Sequence, residues 1–246
     1  MKTLIIGLML ILLGACSETT LTQNQTQGIR KIAMISAIGD ELSIRSFMPN
    51  GGSQGGLLDT GSIEDLGLDQ YVIDQATARL KDHYQVIPVD FQPAAFHQTQ
   101  KEQALHATVV QGRPLGQVIR TNTQLPTGMA AGTDSAVDVY LVFLRGRAKL
   151  QQDDQSLYGT SLTEIPTPNG PGYNLGVVYW IAVIDGHTLQ SLGNVNMLSD
   201  HAVDPSLWAR NVVALTADQK QQIAAIWKKR IDLTLTPALQ KLRLAD

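Results

Sequence analysis

The feature that most constrains this chain is Leu175 to Ile184, LGVVYWIAVI. It is uncharged and built almost wholly from branched and aromatic residues, so it reads as a strong β-strand. Asp185-Gly186-His187-Thr188 follows as a turn, with Gly186 free to take positive φ, and Leu189 to Leu198 is expected to return as a hairpin partner. Ala136 to Leu150, AVDVYLVFLRGRAKL, carries the same β signal. A chain with these segments must be organised around a sheet.

The remaining pattern supplies helices to cover it. Lys31 to Ile38 is an apolar strand, and Pro49 to Gly61 is a Gly-rich loop. A helix is expected from a Ser62 cap to about His83, with Leu66, Tyr71, Val72, Ala76, Ala78 and Leu80 as its approximate stripe. Val86 to Phe91 reads as an edge strand because of Pro88, Gln98 to Gln111 as a helix, and Leu115 to Arg120 as a short second helix. A polar loop with Pro166, Pro168, Gly170 and Pro171 separates the two strong strands. Residues 216–244 form a long amphipathic helix, capped by Thr216 with Gln219 three residues on, and Pro237 is expected to kink or divide it. The expected class is α/β (α+β): a mixed β-sheet covered by helices, with a long C-terminal amphipathic helix.

The chain opens MKTLIIGLMLILLGAC. Lys2 gives a positive start, and the apolar run from Thr3 to Leu13 is shorter than the roughly 20 residues a spanning helix needs. Leu13-Gly14-Ala15-Cys16 resembles the lipobox of bacterial lipoproteins. The resemblance implies a signal peptide over 1–15, cleavage between Ala15 and Cys16, and lipidation (palmitate among the acyl chains) of Cys16. It also implies a membrane anchor, and Ser17 in place of Asp implies the outer membrane, facing the periplasm. Cys16 is the single cysteine, so no intramolecular disulfide can form. Residues 16–28, polar and rich in Thr and Gln, read as a flexible tether, and 29–246 as one periplasmic domain.

Composition narrows the function classes. The formal net charge is −3 and no basic run exceeds Lys228-Lys229-Arg230, which argues against nucleic acid. Gly51 to Gly56 lacks the G-x-G-x-x-G pattern and a following Lys-Ser or Lys-Thr, so no nucleotide is expected. Asp185-Gly186-His187 and Asp200-His201 place carboxylates beside imidazoles, but neighbours on an extended chain point to opposite faces, so no metal is expected. No cofactor is implied.

Gly39-Asp40-Glu41-Leu42-Ser43 resembles the first block of the G-D-S-L hydrolases, with Glu41 at the nucleophile's position. That family's D-x-x-H block has no counterpart here, since none of His83, His97, His106, His187 and His201 has an Asp three residues before it. A hydrolase of an envelope substrate would require two or more of Asp40, Glu41, Ser43, His187, Asp200 and His201 to converge on one pocket. Leu207 and Trp208, if exposed, would mark a partner surface.

The order KIAMIS, helix, QVIPVDF, followed by VYLVFLRGRAKL and VVYWIAVIDGHTLQSLG, resembles the curli-secretion lipoprotein family and the N-terminal domain of the TolB family. That resemblance implies a non-catalytic binding or assembly module with an envelope protein or polymer as partner. The pore strands of the first family and the propeller repeats of the second have no counterpart, so pore and propeller functions are not implied. The competing expectations are the hydrolase and a structural oligomer joined through the C-terminal helix.

Overall fold

The computed structural model describes residues 18–48, 56–63, 66–97, 109–110, 113–125, 137–149 and 156–245. In chain order the strands are β1 (Lys31–Ala37), β2 (Glu41–Ser46), β3 (Gly56–Ser62), β4 (Gln85–Ile87), β5 (Asp90–Phe91), β6 (Val109–Val110) and β7 (Arg113–Pro114). Then come β8 (Thr123–Gln124), β9 (Val139–Arg145), β10 (Arg147–Lys149), β11 (Ser156–Tyr158), β12 (Thr160–Thr167), β13 (Gly170–Asp185) and β14 (Ser191–Ala202). The helices are α1 (Gln23–Gly28), α2 (Leu68–Leu80), α3 (Pro93–His97), α4 (Leu115–Asn122) and α5 (Ala217–Lys241). The protein is a mixed sheet covered by helices, as the pattern implied.

β13 is the spine. One edge pairs antiparallel with β14, from Asn174 opposite Ala202 to Ile184 opposite Ser191. Its other edge holds two strands end to end: β12 along Gly170 to Val177 and β9 along Tyr179 to Asp185. Val178 lies at the seam. There Gly146 N–H donates to the Val178 carbonyl (2.9 Å), and Val178 N–H donates to the Gly159 carbonyl (2.9 Å). Gly159 N–H closes the ring on Gly146 (3.0 Å). The β10–β11 hairpin leaves the sheet through this glycine gate. A Cβ at Gly146 would stand 2.5 Å from Asn196 Oδ1 and 2.9 Å from the Tyr179 nitrogen, so only glycine fits.

The next layer repeats the division. β1 runs parallel to β9 and β2 parallel to β12, so a three-residue step, Ile38-Gly39-Asp40, joins two collinear strands. Gly39 turns there at φ 68°. β4 flanks β1 and β3 flanks β2.

Period-two alternation sends side chains to two cores. Met34, Leu141, Phe143, Tyr179, Ile181 and others face α2 and α5. Ile35, Tyr140, Val142, Leu144, Trp180 and Ala182 face Phe96 of α3 and Leu115, Val118 and Ile119 of α4. Trp227 of α5, fully buried, donates its indole N–H to Thr160 Oγ1 (2.9 Å). Tyr71 of α2 donates to Asp232 of α5 (2.6 Å). Burial and then this carboxylate partner push the phenol up to about 12.

Several expectations are corrected. Glu18 to Gly28 is packed onto the body. Thr22 and Gln25 form a capping box on α1, and Leu21 is fully buried. Thr19 exchanges both backbone hydrogen bonds with Asn194. The buried leucine, the cap and this bridge together hold a polar segment against the body. Ser62 ends β3 and does not cap α2, which begins six residues later behind Gly67. Half of the expected Gly-rich loop is therefore strand, while 49–55 lies outside the described residues.

Pro88 separates β4 from β5 because it has no N–H for the ladder. Most of the helix expected over Gln98 to Gln111 lies outside the described residues, and Val109 and Val110 are extended. The polar loop of prolines is a tight hairpin, with Pro166 opposite Pro171 at the strand ends. Pro237 does not divide α5, which runs unbroken through it. The carbonyl four residues earlier belongs to Leu233, whose side chain is 55% exposed, so water can reach that side of the helix. The apolar stripe of α5 is spent on its own sheet: Ile223, Trp227, Ile231, Leu235 and Leu239 are all buried.

Candidate functional site

The step between β1 and β2 is the polar centre of the sheet. Asp69, in the first turn of α2, accepts hydrogen bonds from Ser36 Oγ (2.6 Å), Ile38 N–H (2.9 Å) and Gly39 N–H (3.1 Å). Arg145, the last residue of β9 and 6% exposed, donates from Nε to the Ile38 carbonyl and pairs through Nη1 with Glu41 at 2.9 Å. Burial pushes the nearby Tyr158 phenol well above its ordinary range, though the Arg145 charge opposes the shift. The Tyr158 hydroxyl has no hydrogen-bond partner among the described residues.

The arrangement explains the letters Gly39-Asp40-Glu41-Leu42-Ser43. Glu41 is the first residue of a strand and the counter-ion of a buried arginine. Ser43 lies mid-strand and buried, opposite Ser161 on one side and Thr60 on the other. Glu41 is occupied by its arginine, and Ser43 is not presented at a strand end as a nucleophile would be.

The other candidates for hydrolysis are spread over the molecule. His187 sits in the turn between β13 and β14, with Nε2 3.9 Å from Asp138. Asp200 and His201 lie at the far end of that hairpin. Asp200 accepts from Asn174 Nδ2 (2.9 Å) and from the His201 backbone N–H (3.1 Å). The ladder steps from Gly193 to His201 span roughly 30 Å, so these groups cannot share a reacting centre with His187. Asp185 organises the intervening turn, accepting from the His187 N–H and from the Thr188 N–H and hydroxyl. Partial burial alone would raise its pKa, but these hydrogen bonds hold the carboxyl below its usual range. Among the described residues no group of His, Cys, Asp and Glu could hold a metal.

The expected partner surface is corrected as well. Leu207 is 4% exposed and belongs to the core. Trp208 is partly buried and leans on the Tyr173 ring, centroids 5.2 Å apart. The short 3₁₀ turn Pro205–Leu207, capped by Asp204, folds this segment inward. Large apolar side chains are exposed elsewhere, at Leu57 and Leu58 of β3, Leu198 of β14 and Val213.

A feature the sequence reading missed lies at the N-terminal end of β1. Thr26, Gln27, Ile29, Arg30, His83, Tyr84, Arg243, Leu244 and Ala245 line a pocket of about 600 Å³. Residues from α1, the end of α2 and the end of α5 meet there, and no local spacing announces that meeting. Arg243 holds φ at 58°, just past the last turn of α5. Close by in sequence, Lys241 Nζ pairs with Glu18 at 3.3 Å. Ala15 and Cys16 lie outside the described residues. Among those described, no helix is long and apolar enough to cross a membrane.

No family model matches the chain. No curated protein matches it in sequence. Solved structures are similar to it, among them these two. One is the lipoprotein GNA1162 from Neisseria meningitidis, 12% identical, covering 81% of this chain and 96% of that one with a TM-score of 0.29. The other is protein XCC0632 from Xanthomonas campestris, of the DUF330 family, 11% identical, covering 92% and 95% with a TM-score of 0.28. Superposition this loose carries no argument about activity.

Proposed function

We propose that the protein is a bacterial lipoprotein, anchored through acylated Cys16 in the outer membrane and facing the periplasm. In this reading it is a non-catalytic binding or assembly module of the envelope. The observation that carries the proposal is the placement of the chain's one cysteine, directly after Leu13-Gly14-Ala15 and two residues before a segment clamped to the fold. Several acyl chains, each buried CH₂ contributing about 0.8 kcal/mol, hold such a protein at a membrane durably. The use of Glu41 and Ser43 as structural residues of the sheet supports the non-catalytic reading.

The test is intact-mass and gradient analysis of the full-length protein beside Cys16→Ser. The wild type should gain the mass of a diacylglyceryl group and co-fractionate with outer membrane, and the variant should do neither. A mature wild-type protein with an unmodified Cys16 would overturn the reading. The assembly role is tested by crosslinking in intact cells. A specific envelope partner captured by the wild type but lost in Cys16→Ser is expected, and capture of nothing above background would sink it.

A further inference from the structure

We infer that the pocket at the α1, α2 and α5 ends is a binding site for a phosphate group, an inference that rests partly on the anchored reading above. Arg30 and Arg243 both line it, and neither guanidinium makes a hydrogen bond or ion pair among the described residues. Other arginines are engaged: Arg79 with Gln75, Thr236 and Asp232, Arg145 with Ile38 and Glu41, Arg230 with Ser199 and Asp200. Two free guanidiniums in one concavity are suited to a bidentate oxyanion. Gln27 adds a neutral side-chain donor, His83 adds a ring N–H, and Tyr84 adds an aromatic wall. Asp82, beside His83, is exposed and does not line the pocket.

The position of the pocket names two sources for that phosphate. Cys16 is two residues from Glu18, a chain span of at most about 7 Å. Glu18 is held by Lys241, two residues from Arg243. An acyl anchor on Cys16 therefore brings this end of the domain to the level of the lipid headgroups, where anionic phosphodiesters attract basic side chains. A soluble phosphate compound is the other source with the same chemistry.

The experiment uses the full-length protein in nonionic detergent, titrated with inorganic phosphate by calorimetry, beside the double variant Arg30→Gln, Arg243→Gln. Both side chains are exposed, so the variant should keep the wild-type melting curve. Saturable binding that weakens at least tenfold in the variant is expected. No binding, or equal binding by both proteins, would overturn the inference. Repeating the titration in nanodiscs separates the sources. Apparent phosphate affinity lowered several-fold by phosphatidylglycerol, relative to phosphatidylcholine, identifies the headgroup as occupant, and unchanged affinity identifies a soluble phosphate. The mass of Cys16 is read on the same sample. An unmodified cysteine with intact phosphate binding would remove the anchor and leave the pocket standing.

Discussion

Arg145 and Glu41 meet 2.9 Å apart across the step that joins β1 to β2, one side chain buried and the other 38% exposed. The guanidinium also binds the Ile38 carbonyl, so it joins the two collinear halves of the layer. The partners should therefore be unequal. Arg145→Met strands a carbonyl and a carboxylate and should cost about 3 kcal/mol. Glu41→Gln keeps a polar group near water and should cost about 1 kcal/mol. Urea unfolding followed by far-UV circular dichroism gives both values, and equal losses would refute the account.

Gly186 packs against the backbone entering β9. A Cβ there would sit 1.9 Å from the Val137 carbonyl oxygen, so Gly186→Ala must force the turn and the incoming strand away from each other. A loss of about 3 kcal/mol or more is expected. Gly28→Ala, where a Cβ meets nothing within 4 Å, should change stability by less than about 1 kcal/mol. Thermal melts of the two variants side by side make the comparison.

Asp185 has a depressed carboxyl, so its stabilising effect is present above the ordinary value of 3.8 and fades as pH falls through the lower folded value. Asp185→Asn should cost about 1 kcal/mol at neutral pH. The gap between wild type and variant should close below pH 3.8, as measured by denaturant unfolding from neutral pH into the acid range. A gap that stays constant across that range would show that the carboxylate's charge is irrelevant to the turn.

Leu21 is the apolar pin of the N-terminal segment. Leu21→Ala should cost about 2–4 kcal/mol and open residues 18–28 to limited proteolysis. Glu18→Gln, which removes only an exposed ion pair with Lys241, should cost less than about 1 kcal/mol and leave the cleavage pattern unchanged.

The elements readable in the sequence are those that carry their own signal. LGVVYWIAVI, the Asp185 to Thr188 turn and the Thr216–Gln219 capping box each depend on neighbours in the chain, although the positive φ expected at Gly186 falls on Leu189, at 59°. β2 was readable in principle: Glu41-Leu42-Ser43-Ile44-Arg45 alternates perfectly, and Leu42 and Ile44 are buried. The likeness of Gly39 to Ser43 to an esterase block obscured that period. Likewise Thr22 and Gln25 form a capping signature that the polar composition around them hides. The Arg145–Glu41 pair and the Arg30–Arg243 pocket belong to a different kind. They join residues far apart in the chain, and only the strand order and the docking of the helices on the sheet bring them together.

The glycine gate at Gly146 and Gly159 has a further consequence. Because β9 and β12 lie end to end on one edge of β13, the chain between them is a branch hung from a finished seam. Its length enters neither strand's register. Residues can be added or removed at that one address, changing the surface there while the sheet behind it keeps the same pairing.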